Sequence, residues 1–227
     1  MKHQKFGIIL NFAICSLNFS LPGLLLPALL LALSGLLQAC SGDIFSGSLP
    51  RWGIGGRYNE GREQFLRGRG GNMDTAVEAL QSVVKDDPTY KDSMTLLARA
   101  YYRKGYFDAA RQVSQRALLL NKDDEIAWLV LGLAQLRVGE DEPGMETLGG
   151  AITLASKASR GGYRNFPDWD SKAIVRTAVS RAVVAYKKGL EEKEGILRAV
   201  ETILLRMDDE ENFQRINKPR VEQRGRE

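Results

Sequence analysis

Residues 91–124, KDSMTLLARAYYRKGYFDAARQVSQRALLLNKDD, decide the fold of this chain. Leu97-Ala98 recurs as Leu131-Gly132, Gly105 as Gly139, Ala117-Leu118 as Ala151-Ile152 and Leu120 as Leu154, each 34 residues on. One period earlier, Ala76 and Val83 stand ahead of Ala110 and Ala117. A fixed period of this length marks stacked helix–turn–helix units, which bury a shared core between neighbours and present an extended surface. The spacing predicts an all-α fold, a short α-solenoid.

Within the quoted unit, Leu97, Tyr101 and, in the next, Leu131 lie at helical spacing and fill the seam between two helices. Ala98, Ala110, Ala117 and Gly132 are small where helix axes approach closely. Gly105 and Gly139 end the first helix of each unit by taking a left-handed conformation cheaply. Asp108 starts a second helix, and Pro88 closes the unit before. Pro143-Gly144 places the start of the helix after Gly139 at Pro143, in the first turn, where a missing N–H is tolerated.

These positions resemble tetratricopeptide repeats. One copy runs from Lys91 to Asp124, with Met94, Leu97, Ala98, Tyr101, Ala110 and Ala117 in phase; the next, from Glu125 to about Ala158, carries Trp128, Leu131, Gly132 and Ala151. An earlier copy is clear in its second half (Ala76, Leu80, Val83, Pro88) and degenerate in its first helix, placed near Arg62 to Arg69. Gln135, Ser114 and Lys122 depart from the family's pattern. After Ala158 the register is lost. Asp170 or Ser171 then caps a helix with Ile174, Ala178, Ala182, Val183 and Tyr186 on one side, and a second follows Gly189 with Ile196, Leu197, Val200, Ile203 and Leu204. They read as a divergent C-terminal hairpin that covers the end of the stack.

The segments outside the repeats are assigned by composition. Residues 1–39 are a leader: Lys2, His3 and Lys5, then no charge until Asp43. It ends Leu37-Gln38-Ala39-Cys40, which resembles the lipobox of bacterial lipoproteins. That resemblance implies cleavage ahead of Cys40 and acylation of its thiol and new amino group. The competing reading is an uncleaved span, because Leu21 to Ala39 just crosses a bilayer at about 1.5 Å per residue. Residues 40–60 read as a flexible tether, 61–158 as the repeats, 159–170 as an aromatic insertion loop, 171–211 as the hairpin and 212–227 as a disordered basic tail. Gly68 to Gly71 lacks the spacing of a phosphate-binding loop and reads as a turn.

Composition narrows the chemistry. The single histidine, His3, and one of two cysteines, Cys15, lie in the leader, and the other, Cys40, is assigned to lipid. Imidazole base catalysis, thiolate chemistry and His/Cys metal sites are excluded for the remainder. The net charge is +4 at pH 7, a mixed surface and not the field of a nucleic-acid binder. The acidic runs Asp86-Asp87, Asp123-Asp124 and Asp208 to Glu211 read as caps and solvated helix ends. No enzyme and no cofactor is expected.

Function is therefore expected in a surface. Members of the resembled family hold partners in the concave groove lined by the first helix of each unit. At the equivalent places stand Thr95, Arg99, Tyr102 and Arg103, then Leu129, Leu133, Leu136 and Arg137. Leu133 and Leu136 read equally well as core. The basic and apolar mixture suits an acidic amphipathic helix or an extended peptide, with the arginines facing solvent. The asparagine of the family's carboxylate clamp is replaced by Arg99 and Leu133. Tyr163, Phe166 and Trp169 form a second candidate patch, which either covers the stack or contacts a partner. The chain is expected to be a lipid-anchored scaffold or assembly factor facing the periplasm of a bacterial envelope. Ser41 after the cysteine favours the outer membrane where there is one. The alternative is an accessory structural subunit of a membrane redox or transport complex.

Overall fold

The computed structural model describes residues 53–161 and 168–224. They form eight α-helices, with no strand among the described residues. The helices are α1 (Ile54–Leu66), α2 (Met73–Asp86), α3 (Ser93–Arg103), α4 (Phe107–Leu120), α5 (Glu125–Arg137), α6 (Asp141–Gly161), α7 (Ile174–Tyr186) and α8 (Lys193–Arg224). Helices α1/α2, α3/α4 and α5/α6 pack as successive hairpins, and α7/α8 form the last pair. Cys40, Tyr163 and Phe166 lie outside the described residues.

Local signals explain the punctuation. Asn72 caps α2, its side chain accepting from Asp74 N and Thr75 N at 3.0 and 3.1 Å. Gly105 and Gly139 have φ of 79° and 89°, the left-handed region expected of them. Past each, the same 6→1 closure repeats: Tyr106 N donates to Tyr101 O at 3.0 Å and Glu140 N to Gln135 O at 2.9 Å. Asp170 caps α7 from a buried turn, accepting from Val175 N at 2.8 Å and Arg176 N at 2.9 Å.

Small residues set the helix crossings. Gly132 of α5 receives Leu148 of α6, and Gly144 of α6 receives Leu136 of α5, so the pair interlocks reciprocally. Ala98 and Ala110 are fully buried, as the spacing requires. The core divides into two adjoining clusters. Tyr58, Phe65, Leu80, Leu96 and Leu97 anchor the first. Leu129, Leu133, Leu148, Val175, Ile196, Leu197 and Ile203 anchor the second. Helix α5 is buried on almost every side, from Leu129 through Leu136, because α4, α6 and α8 all pack on it.

Five expectations are corrected. The tether does not extend to residue 60, and the first helix of the first copy does not lie at Arg62 to Arg69: α1 begins at Ile54, and Tyr58, Gly61, Phe65 and Leu66 form its buried face. Helix α6 begins at Asp141, two residues before Pro143, which still falls among the first N–H groups that need no intrahelical acceptor. The same helix runs to Gly161, into the stretch assigned to the insertion loop. Helix α8 continues to Arg224 where residues 212–227 were expected to be disordered. There Gln214 Nε2 donates to Asp168 O at 3.3 Å and to Glu210 Oε1 at 2.7 Å, and Lys172 stands over the Phe213 ring, which ties the helix to the turn before α7.

Candidate functional site

The first helices α1, α3 and α5 present a row of arginines, Arg62, then Arg99 and Arg103, then Arg137. Helix α8 lies against this row with an acidic stripe. Glu194, Glu201 and Asp208 are seven residues apart and Glu211 follows at three, spacings that put all four on one helix face. Arg137 Nη2 pairs with Glu201 Oε1 at 2.9 Å, and its Nη1 reaches Glu194 Oε1 at 3.5 Å. Arg99 and Arg103 both pair with Asp208. Arg62 grips Glu211 Oε1 through Nε at 2.9 Å and Nη2 at 2.5 Å. The match runs the width of three repeat units.

Apolar and neutral groups complete the contact. Tyr102 Oη donates to Glu201 Oε1 at 2.6 Å. Phe65 lies beneath two guanidinium groups, with Arg99 at 4.7 Å and Arg103 at 4.0 Å from its ring centroid, a cation–π arrangement. Arg103 Nη1 also donates to Phe65 O at 3.0 Å. A cavity of about 350 Å³ remains between α3 and α8, lined by Phe65, Arg99, Tyr102, Phe107 and Arg137 against Glu201, Leu204 and Asp208. Another of about 320 Å³, also bordered by Arg99, reaches Arg62, Asp92, Thr95, Asp124 and Trp169.

Burial shapes the electrostatics. Loss of solvation pulls Arg99 below the usual guanidinium range, and pulls Arg103 to about 10 with help from the neighbouring Arg99 charge. Arginine does not deprotonate in proteins, so a guanidinium taken out of water needs a carboxylate to offset its desolvation. Arg137 is raised by its hydrogen bonds to Tyr102 and Glu201, and the Tyr102 hydroxyl is raised by burial and by its bond to Glu201. For Arg62, burial lowers and Glu211 raises, and the carboxylate wins.

The residues singled out by sequence are thus brought together, but not as a free surface. Thr95 is 6% exposed and donates from Oγ1 to Asp124 Oδ2 at 2.6 Å, tying α3 to the cap of α5. Arg99 is 4% exposed, and Leu129, Leu133 and Leu136 are core. The expectation that Arg99 faces solvent is corrected, since it is buried against Asp208 of α8; Arg103 pairs with the same carboxylate but keeps its side chain 27% exposed. The run from Asp208 to Glu211 is corrected with it, since Asp208 is buried and not solvated. Trp169 is half-buried beside Met207 and Glu211 and faces inward, unlike a free contact patch. Sequence reading missed Arg62 and the acidic stripe; the heptad spacing of Glu194, Glu201 and Asp208 was the available signal.

Comparison with curated proteins returns no match. Residues 70–139, from just before α2 to the turn after α5, match the family model described as tetratricopeptide repeat. Repeats of this family are typically non-enzymatic protein-interaction modules. The helix–turn–helix hairpins in sequence and the left-handed glycines at equivalent turns agree with that match, and the stretch from α2 to α5 is similar to tetratricopeptide repeats.

Proposed function

We propose that this chain is a protein-binding scaffold, or assembly factor, tethered by lipid to a bacterial cell envelope. The observation that carries the anchoring is Leu37-Gln38-Ala39-Cys40 at the end of an uncharged leader. Acylation there holds the chain stably, because each buried methylene contributes about 0.8 kcal/mol and two acyl chains are enough. The repeats then face the periplasm and bind a protein, not a nucleic acid. Ser41, in place of an aspartate after the cysteine, favours delivery to the outer membrane.

Mass spectrometry of the mature N-terminus tests the anchor. The expected product begins at an acylated Cys40, and Cys40→Ala releases no lipidated form. An intact leader on the membrane-bound protein contradicts the reading. Recovery of the acylated protein only with the inner membrane contradicts the sorting.

A further inference from the structure

Helix α8 changes character at Asp208. Before it, Ile196, Leu197, Val200, Ile203, Leu204 and Met207 are buried in the core shared with α5 and α7. After it, Phe213 is 46% and Ile216 56% exposed. The described contacts from Asp208 onward are polar or cationic. Asp208 pairs with Arg99 and Arg103, Glu211 with Arg62, Glu210 Oε1 accepts from Asp170 N at 3.1 Å, and Gln214 reaches Asp168 O. Yet this stretch covers the arginines of α1 and α3.

We infer that residues 208–216 are a latch on the arginine row. They lift to expose Arg62, Arg99 and Arg103 to the carboxylates of an acidic helix from another protein. The proposal rests on the reading of the chain as a protein-binding scaffold and names its partner's chemistry.

The argument is one of which forces hold which part. The first half of α8 is fixed by apolar burial, which salt does not weaken. The latch is held by ion pairs and hydrogen bonds, of which Arg62–Glu211, with side chains 27% and 16% exposed, is more open to screening than the buried Arg99–Asp208 pair. Arg99 sets the ligand class. A buried guanidinium left alone is strongly unfavourable, so opening is favoured only when another carboxylate takes Asp208's place. Its Nε has no hydrogen-bond acceptor among the described residues, leaving a spare donor beside the cavity. The preferred partner carries two carboxylates three residues apart on a helix, the spacing of Asp208 and Glu211.

The full chain in detergent micelles serves for the test. Hydrogen exchange read by mass spectrometry should show amides 209–216 accelerating several-fold as salt rises from about 0.05 to about 0.5 M, where the Debye length shrinks severalfold. Amides 197–207 should be unmoved. A labelled peptide of residues 205–216 is the binding probe. It should bind D208N/E211Q roughly tenfold more tightly than the unaltered chain, because the internal competitor is weakened. The same peptide with Asp208 replaced by Asn and Glu211 by Gln should not bind. If the variant fails to fold, the salt response of the unaltered chain still decides. Uniform exchange along α8, or equal peptide affinity for both chains, overturns the latch and leaves the anchored-scaffold reading standing. A dimer that the peptide dissociates assigns the arginine row to a second copy, and overturns the partner.

Discussion

A methyl group added at Gly132 would stand 2.7 Å from Leu148 Cγ and 3.1 Å from its backbone N, so helix α6 itself would have to move. Alanine is the better helix former by about 1 kcal/mol, but overpacking a seam costs about 1–3 kcal/mol. Gly132→Ala is therefore expected to lower the melting temperature. Gly150, exposed on α6 with nothing within 4 Å of an added Cβ, gives the opposite sign. Gly150→Ala should stabilise by about 0.5–1 kcal/mol, read in the same melts. Trp128 is half-buried, its Nε1 donating to Lys122 O at 2.8 Å, so Trp128→Ala should cost less than the 3–5 kcal/mol of a fully buried ring. Small residues were legible because packing repeats every 34 residues. The partner of Arg99 was not, because Asp208 stands outside the repeat and far along the chain.

At the scale of elements, ends governed by one local signal were readable and ends governed by tertiary contacts were not. Asp170 was legible as one of two candidate caps, with Ser171 the other. Asp170→Ala leaves two N–H groups of α7 without acceptors and should cost about 1–2 kcal/mol, measured by urea unfolding. A melting curve unchanged by that substitution would count against the cap. Helix α1 was hidden by Gly55, Gly56 and Gly61, each a poor helix former. Contacts outweigh that propensity: Gly61 admits Leu80, and Tyr58 Oη donates to Asp92 Oδ1 at 2.5 Å. The far half of α8 was likewise unreadable, because its charged composition reads as disorder unless the arginine row opposite is known. The same charges that spoiled the local signal hold the element in place.

For the whole molecule, the repeat period gave the stack and the apolar spacing gave the last hairpin, but not the path of α8 across the first helices. The chain thereby supplies its own acidic helix to the face on which the sequence led us to expect one from a partner. That changes the expected effect of charge reversal. Arg99→Glu with Arg103→Glu sets carboxylates against Asp208 and should destabilise the fold, where a free groove would have lost binding alone. The most direct test of α8 as the lid of this face is a double-mutant cycle on Arg99 and Asp208, read by denaturant unfolding. Arg99→Leu and Asp208→Leu should each cost about 3–5 kcal/mol, since each strands a buried charge. The double variant should cost at least about 2 kcal/mol less than their sum. Costs that add to within about 0.5 kcal/mol would mean that the two residues do not meet, and would contradict the account.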